Sequence, residues 1–260
     1  MGWHRPTAGK FLSASNLGVG IWSKNLLFVV GAVFAPTLLL PQAAWAGRPQ
    51  STDDAATADV GTCQLEGWTE RNSRTRAHVL APACSPAPGV EIDLDHTRLR
   101  PVNLIRAEAG LALKWVPATW RLETGAGELN FGLKFNISLQ QPSTGWQRAG
   151  QGALGLASLK VSDALAFHGN LGFAVDRDSG QSARLLNLAV VWSPIDAALL
   201  FAELQNNSKP AVFGGTTRGQ GARWWLVKDS LGLDLTARRE SGSGSGTQWG
   251  LGFGWYGLTF

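Results

Sequence analysis

Residues 128–140, ELNFGLKFNISLQ, decide the fold that the sequence predicts. Apolar residues occupy every second position over all thirteen residues, with polar or small residues between them. Side chains of a β-strand point alternately to opposite faces, so this pattern predicts a strand with one apolar and one polar face. Strands of soluble proteins are usually about five or six residues long, whereas a tilted strand needs about nine to eleven to cross a bilayer. The length of this stretch therefore favours a membrane-spanning strand.

The same period of two recurs along the chain. It is clear in residues 103–114, 165–176 and 231–238, whereas residues 222–228, ARWWLVK, have no definite orientation. In hydrocarbon every backbone N–H and C=O needs a partner, and a closed barrel is the only sheet that supplies one to all of them. We therefore predict an all-β fold, an antiparallel transmembrane β-barrel of about 12 strands or, alternatively, about 10, because bacterial single-chain barrels have even strand numbers.

The connections between the predicted strands alternate in length. Tight turns are expected at residues 228–230, 193–196 and 161–163, and longer polar connections at residues 241–246, 206–221, 177–181 and 141–150. Outer-membrane barrels have short periplasmic turns and longer external loops, so the carboxyl end is expected on the periplasmic side. Residues 117–127 break this rule, because a short turn is expected there and the stretch is too long.

The first 46 residues have the organisation of an export signal. Basic residues up to Lys24 precede an apolar run at residues 26–40, and Ala44-Trp45-Ala46 is a small-x-small cleavage pattern. We predict a cleavable signal peptide at residues 1–46, a disordered periplasmic lead-in at residues 47–62 and the barrel at residues 63–260. An uncleaved anchor is the alternative, but the apolar run is shorter than the roughly 20 residues that a spanning helix needs.

The charge balance argues against a nucleic-acid partner. The whole chain has 23 basic and 19 acidic residues, but three of the basic and none of the acidic residues fall within residues 1–46. The predicted mature chain therefore has a net charge of +1, and it contains no Lys/Arg run or nucleic-acid-binding motif. We expect no nucleic acid, no cofactor and no metal site.

The two cysteines, Cys63 and Cys84, are expected to form a disulfide. The residues between them predict a hairpin that turns near Asn72, which brings both thiols to the periplasmic end of the barrel. The periplasm is oxidising, and closing a loop of about 22 residues contributes roughly 3 kcal/mol through chain entropy. Two free thiols or a metal site are the alternatives, and the lack of nearby paired His ligands disfavours zinc.

If the apolar strand faces contact lipid, the opposite faces line a lumen that carries charges of both signs. The residues expected to line the pore or bind a solute are Arg106, Glu108, Lys114, Glu128, Lys134, His168, Asp234 and Arg238, and the same faces carry Glu91, Asp93, Asp95, Asp176 and Arg184. These charges either line a narrow aqueous path or pair across a small bore and hold a plugged wall together. A barrel of about twelve strands lies between the filled eight-strand type and the open porins, so both interpretations stay open.

Two other classes of protein compete with a channel. Outer-membrane phospholipases use His, Asn and Ser on the lipid-facing surface, but His168 and Asn170 are predicted to face inward and no serine is placed beside them. We therefore expect no enzyme, with a lipid-modifying barrel as an alternative. A secreted β-sandwich would bury Trp115, Trp192 and Trp255 in its core, whereas a barrel would place them at the membrane interface that Trp favours.

The carboxyl end, TQWGLGFGWYGLTF at residues 247–260, resembles the last strand of Gram-negative outer-membrane β-barrel proteins. That strand characteristically ends in Phe, and the matching residues are Tyr256, Leu258 and Phe260. The resemblance implies that they form the signal read by the barrel assembly machinery. Trp255 and the aromatic residues before it have the opposite parity, which a β-bulge near Tyr256-Gly257 would reconcile.

In layout, residues 63–260 also resemble small outer-membrane transporters, loosely those of the outer-membrane family associated with phenol degradation. This resemblance implies a porin-like passive channel or transporter for a small solute in the cell outer membrane. Its implied partners are outer-membrane lipid and, transiently, the barrel assembly machinery. The alternatives are a plugged structural barrel without transport and a lipid-modifying enzyme.

Overall fold

The computed structural model describes residues 50–101, 105–241 and 246–260, so the predicted signal peptide lies outside the described residues. The strands are β1 (Thr62–Arg71), β2 (Arg76–Ala87), β3 (Val90–Arg100), β4 (Ile105–Trp115), β5 (Leu122–Thr124), β6 (Gly127–Pro142), β7 (Gln147–Ser162), β8 (Leu165–Asp176), β9 (Ser182–Ile195), β10 (Ala198–Asn207), β11 (Thr217–Val227), β12 (Leu231–Glu240) and β13 (Thr247–Thr259). Two short helical pieces accompany them, a 3₁₀ turn at Ala118–Trp120 and helix α1 at Pro210–Phe213. In the described part of the chain, no helix has the length and apolar character needed to cross a membrane.

Twelve of the strands close into an antiparallel barrel. Neighbours in the chain pair with each other, β4 pairs with β6, and β1 pairs with β13, which completes the ring. The short β5 pairs with the first residues of β6, ahead of the stretch of β6 that pairs with β4. Closure gives each of the twelve wall strands two partners, so the wall has no open edge. The predicted barrel of about 12 strands is confirmed.

Alternate side chains of the wall strands face the exterior and the lumen. In β6, Phe135, Ile137 and Leu139 are exposed on the outside, while Gln140 is buried on the inside. The same alternation holds in β8 and β12, as the sequence predicted. The pattern thus identifies correctly which face of these strands meets lipid.

The neighbours of β11 set its orientation, which the sequence left open. Arg223 is paired with Asp234 of β12, and both are buried on the lumen side. Trp225 shares this inward face, whereas Trp224 and Leu226 are exposed on the exterior. The orientation therefore depends on a charged partner in the next strand and not on the residue pattern of β11 itself.

Arg184 is placed differently from the sequence prediction. We expected it on a lumen face, but it is exposed and has the same parity as the exposed Leu186 and Leu188. Its partner across β8 and β9 is Phe173, another exposed residue of the exterior. Arg184 is the third residue of β9, close to the end of the strand, where a long cationic side chain can reach the polar edge of a bilayer.

The two ends of the barrel differ in the length of their connections. At one end, named the short-turn end, most connections have two or three residues, as at 163–164 and 228–230, whereas at the other, named the loop end, they have four to nine. This is the predicted alternation. The exception at residues 117–127 has a structural cause, since this stretch forms the 3₁₀ turn and β5, which builds a small hairpin with β6 in place of a tight turn.

Exposed tryptophans lie near the strand ends on the exterior. They are Trp115, Trp120, Trp192, Trp224 and Trp255 towards the short-turn end, and Trp146 and Trp249 towards the loop end. Indole groups favour the membrane interface, and an apolar exterior between two aromatic belts fits a bilayer. The closed ring and these exposed indoles rule out the β-sandwich alternative.

The last strand contains the predicted β-bulge. Leu65 of β1 pairs with Trp255, but Cys63, two residues earlier, pairs with Leu258, so β13 uses one residue more than β1 in this interval. Gly257 has a φ of 72°, a left-handed conformation that glycine adopts without steric strain. The bulge restores a single outward face to the two halves of the strand.

Cys63 and Cys84 form the predicted disulfide. They are directly opposite each other in the β1–β2 ladder, near the short-turn end. Cys84 has the same parity as Leu80, which is exposed on the exterior. The bond therefore ties the first hairpin together from outside the barrel.

Candidate functional site: the barrel lumen

Most of the predicted pore-lining residues lie in the bore. The inward-facing members of the predicted set are Glu108, Lys114, Lys134, His168, Asp234 and Arg238. Arg106, in contrast, is exposed near the loop end of β4, and Glu128 binds Arg121 at 2.7 Å near the short-turn end. Their role in binding a solute stays a prediction.

A part of the chain that precedes the wall runs inside the barrel. Residues 50–61, named the lumen segment, lead from Gly61 at the short-turn end to the middle of the bore, where Thr52 reaches Glu203 of β10. Thr52 is 1% exposed and Ala55 is 2% exposed. We expected residues 47–62 to be disordered in the periplasm. Residues 50–58 are instead enclosed by the wall, because the wall supplies partners for their backbone and their charges, whereas Asp59 and Val60 are exposed near the short-turn end.

Wall side chains accept hydrogen bonds from the backbone of the lumen segment. The N–H groups of Ser51 and Thr52 donate to Glu203, that of Asp53 to Asn170, that of Ala55 to Ser158 and that of Ala58 to Glu91, at 2.7 to 2.9 Å. The Nδ2 amide of Asn170 donates in return to the carbonyl oxygen of Asp53 at 2.7 Å. A buried backbone donor without a partner costs free energy comparable to a lost hydrogen bond, so these acceptors make the enclosed position of the segment possible.

Two lysines of the wall bind the carboxylates of the lumen segment. Nζ of Lys114 lies 2.7 Å from Oδ1 of Asp53 and 2.9 Å from Oδ1 of Asp54. Nζ of Lys134 lies 2.6 Å from Oδ2 of Asp53 and 2.5 Å from Oδ2 of Asp93. Because Lys114 is 1% exposed, its charge depends on these carboxylates, since an unpaired buried ammonium is strongly unfavourable.

A second charged cluster joins β1, β11, β12 and β13. The guanidinium of Arg223 donates to both carboxylate oxygens of Asp234 at 2.7 and 2.8 Å, and it lies 3.6 Å from Glu66. The hydroxyl of Tyr256 donates to Glu66. The guanidinium also lies 5.0 Å from the ring centre of Trp225 and 4.9 Å from that of Tyr256. The two parallel hydrogen bonds to Asp234 and the contacts with the two aromatic rings hold the guanidinium of Arg223 in one orientation.

A third cluster links the wall to the lumen segment through Arg238. Its guanidinium lies 3.1 Å from Glu70 and 3.3 Å from Glu203. Gln248 donates to the second oxygen of Glu70 at 2.7 Å. Since Glu203 also accepts from the N–H of Thr52, a change at Arg238 reaches the lumen segment through one intermediate residue.

A cavity of about 330 Å³ lies in the bore beyond the lumen segment. Residues 50–53 line it on one side, and the connection between β10 and β11 lines it at the loop end, where Phe213 of α1 is buried. Ligand pockets usually have volumes of about 300 to 1,000 Å³. The lumen segment therefore narrows the bore without filling it.

A serine lies beside His168, so the expectation that none is placed there is wrong. Ser158 is the direct partner of His168 across β7 and β8, and its Oγ lies 2.7 Å from Nδ1 of the histidine. Sequence reasoning missed this pair because the two residues are ten positions apart and only the strand register aligns them. Ser158 also accepts from the N–H of Ala55, so the pair serves as an anchor of the lumen segment.

The residues of the predicted assembly signal divide between the two faces. Tyr256 points into the lumen, where its hydroxyl donates to Glu66. Leu258 pairs with Cys63, which has outward parity, and Phe260 is exposed. Recognition of these residues by the assembly machinery stays a prediction.

Solved structures similar to this chain are outer-membrane porins. The KdgM porin in complex with disordered oligogalacturonate has a TM-score of 0.56 and 10% identity, and the alignment covers 74% of this chain and 98% of that one. The NanC porin has a TM-score of 0.52 and 8% identity, with the same coverage. At these identities the likeness shows the fold, and it does not specifically support the family associated with phenol degradation. A porin fold with an apolar exterior and aromatic belts places the chain in the outer membrane.

No curated protein matches the sequence. One family model does match, over residues 34–249, and its description is "Uncharacterised conserved protein UCP029691". The matched range is more than half of the chain, and it includes the lumen segment and all of β1 to β12. The chain therefore belongs to the family described as uncharacterised conserved protein UCP029691.

Proposed function

We propose that this protein is an outer-membrane channel for a small solute. In the described conformation, its lumen segment keeps that channel closed. The observation that carries the proposal is the bore itself, which has a polar, charged wall and holds a segment bound by polar contacts. A barrel built only as a scaffold has no need for a cavity between an internal segment and its loop end. The porin fold supports the same interpretation.

The backbone hydrogen bonds of the lumen segment can be replaced by hydrogen bonds to water. The buried side chains of the segment are Thr52, Asp54 and Ala55, so little hydrocarbon is enclosed. A typical hydrogen bond contributes only about 0.5 to 1.5 kcal/mol net, because it exchanges with bonds to water. Apart from the ion pairs to Lys114 and Lys134, little free energy therefore holds the segment in the bore.

A permanently plugged structural barrel is the second candidate, and one observation favours it. Lys114 binds two carboxylates of the lumen segment while it is almost fully buried. Breaking a buried ion pair leaves an uncompensated charge, which costs about 3 to 5 kcal/mol. If water does not reach Lys114 as the segment leaves, this cost keeps the barrel closed.

A lipid-modifying activity has less support. Ser158 and His168 lie on the lumen face, away from lipid, and the serine oxygen is occupied by the N–H of Ala55. A substrate in the bilayer has no route to this pair through the wall. The proposed function is therefore passage and not catalysis.

Conductance in planar bilayers tests the proposal. The variant Asp53→Asn/Asp54→Asn removes the charges that bind Lys114 and Lys134, and we expect it to conduct for a larger fraction of time than the wild type. Asp59→Asn is the matched control, because Asp59 belongs to the same segment but is exposed. A second variant that lacks residues 50–58 is expected to be open most of the time.

Heat-modifiable migration on a gel shows that each variant is a folded barrel before it is recorded. Silence of the folded wild type, the double variant and the deletion would overturn the channel and leave the plugged barrel. Equal opening of Asp53→Asn/Asp54→Asn and Asp59→Asn would overturn the closing role of the lumen segment.

A further inference from the structure

Four carboxylates form a continuous patch on the lumen faces of two adjacent strands. This acidic patch consists of Glu91, Asp93 and Asp95 of β3 and Glu108 of β4, all at inward-facing positions. Its half towards the short-turn end is neutralised, because Glu91 lies 3.9 Å from Lys114 and Asp93 lies 2.5 Å from Lys134. Its half towards the loop end, Asp95 and Glu108, forms no ion pair with any described residue.

Glu108 is a buried carboxylate, and one of its oxygens accepts no hydrogen bond. The side chain is 5% exposed, and its Oε1 has no hydrogen-bond partner among the described residues. The residue opposite it in β3 is Thr97, which is 1% exposed and whose hydroxyl also has no partner there. An unsatisfied buried carboxylate is strongly unfavourable, so this position is suited to a group that supplies both donors and positive charge.

The backbone of β4 makes room for the second carboxylate of this half. Asp95 lies opposite Gly110, and a Cβ on Gly110 would overlap Oδ2 of Asp95. The missing side chain lets the carboxylate lie against the strand and border the cavity. A glycine at this position thus maintains the site as well as the wall.

The cavity that borders the patch has an excess of negative charge. Its lining contains six carboxylates and two lysines, and the carboxylates are Asp53, Glu66, Glu91, Asp93, Asp95 and Glu108. Both lysines, Lys114 and Lys134, are already bound by carboxylates. Among the described residues, no lysine or arginine other than these two lines the cavity, so an anion is disfavoured in it and a cation is favoured.

The chemistry of the cavity favours an organic cation over a metal ion. Among residues 50–101, 105–241 and 246–260, no three His, Cys, Asp or Glu side chains are arranged to hold a metal. Beside the patch, Val79, Ala81 and Ala83 of β2 line the cavity with small apolar side chains. Such a strip suits the methylene groups of an amine, and the volume of about 330 Å³ suits a small one.

We propose that Asp95 and Glu108 bind the ammonium or guanidinium group of a small organic cation whose hydrocarbon part lies along β2. This deepens the proposed function, on which it rests, by naming the class of solute that the channel takes. The solute would enter the cavity from the loop end and meet the acidic patch before it meets the lumen segment.

Equilibrium binding to the detergent-solubilised barrel tests the proposal independently of conductance. Putrescine is the probe, and 1,4-butanediol and succinate are its neutral and anionic counterparts of the same chain length. By titration calorimetry we expect the wild type to bind putrescine only, and Glu108→Gln and Asp95→Asn to weaken that binding at least tenfold each. Glu123→Gln, a change of the same charge at an exposed position outside the bore, is expected to bind like the wild type.

Four results overturn the proposal: no binding of putrescine to the folded wild type, equal binding by Glu108→Gln and the wild type, equal binding of butanediol, or calcium chloride binding in place of putrescine. Failure here and failure of the channel are separable. Putrescine binding to a barrel that stays silent in bilayers supports the cation site and removes the channel. Conductance without putrescine binding supports the channel and removes the cation site.

Discussion

Nζ of Lys114 in β4 lies 2.9 Å from Oδ1 of Asp54, a residue 60 positions earlier in the chain. This contact joins a segment that precedes the barrel to the barrel wall. The position of the lumen segment in the bore therefore depends on an ion pair between distant parts of the chain, and this pair offers a direct way to test the proposed closure.

Replacing Lys114 is expected to release the lumen segment. In Lys114→Met the carboxylates of Asp53 and Asp54 lose a shared partner, so the segment should exchange its backbone protons with water at least tenfold faster, which corresponds to about 1.4 kcal/mol. Hydrogen exchange followed by mass spectrometry measures this for residues 51–58. Lys228→Met is the control, because Lys228 binds Asp196 on an exposed turn. Equal exchange rates in both variants would contradict the anchoring role.

Arg223→Lys is expected to destabilise the barrel. Lysine cannot donate the two parallel hydrogen bonds that the guanidinium makes to Asp234, and it loses the flat contact with the rings of Trp225 and Tyr256. We expect the free energy of unfolding to fall by roughly 2 kcal/mol, in line with hydrogen bonds between charged groups. Urea unfolding in micelles measures it. Arg239→Lys on the exposed side of β12 should leave it unchanged, and an equal fall in both variants would refute the prediction.

Removal of the disulfide is expected to weaken the first hairpin. The bond closes a loop with a sequence separation of 21 residues, and Cys63→Ser/Cys84→Ser should lower the free energy of unfolding by about 3 kcal/mol through chain entropy. The reduced wild type should match the double variant in urea unfolding. A reduced wild type as stable as the oxidised one would show that the wall alone holds this hairpin.

Gly110→Ala is expected to damage the proposed cation site without changing its charge. The added Cβ would overlap the carboxylate of Asp95 and displace it from its place against β4. Putrescine affinity should fall by about as much as in Asp95→Asn. In the control Gly155→Ala the new Cβ lies 3.5 Å from the carbonyl oxygen of Leu171, an ordinary contact, so affinity should be unchanged. Undiminished binding by Gly110→Ala would exclude Asp95 from the site.

Much of the wall was predictable because its evidence is local in sequence. Alternation in residues 128–140 identifies the lipid face of β6, and the mismatch of parity around Gly257 predicts the bulge of β13. Prediction failed where a long-range partner decides the outcome. Ser158 meets His168 only through the register of β7 and β8. Arg184 failed for a different reason, because it follows the outward parity of β9 although it is charged.

The sequence by itself determined an antiparallel barrel with an apolar exterior, a disulfide and charged inner faces. An alternation of period two and a cysteine pair in one hairpin can both be recognised from residues close together in the chain. Only the tertiary structure decided what occupies the bore. Residues 50–61 are largely polar and have no periodicity, so their sequence alone predicts a disordered segment. Closure of the barrel places Lys114, Lys134, Asn170 and Glu203 around one axis, and those partners, supplied by four different strands, give the segment its position.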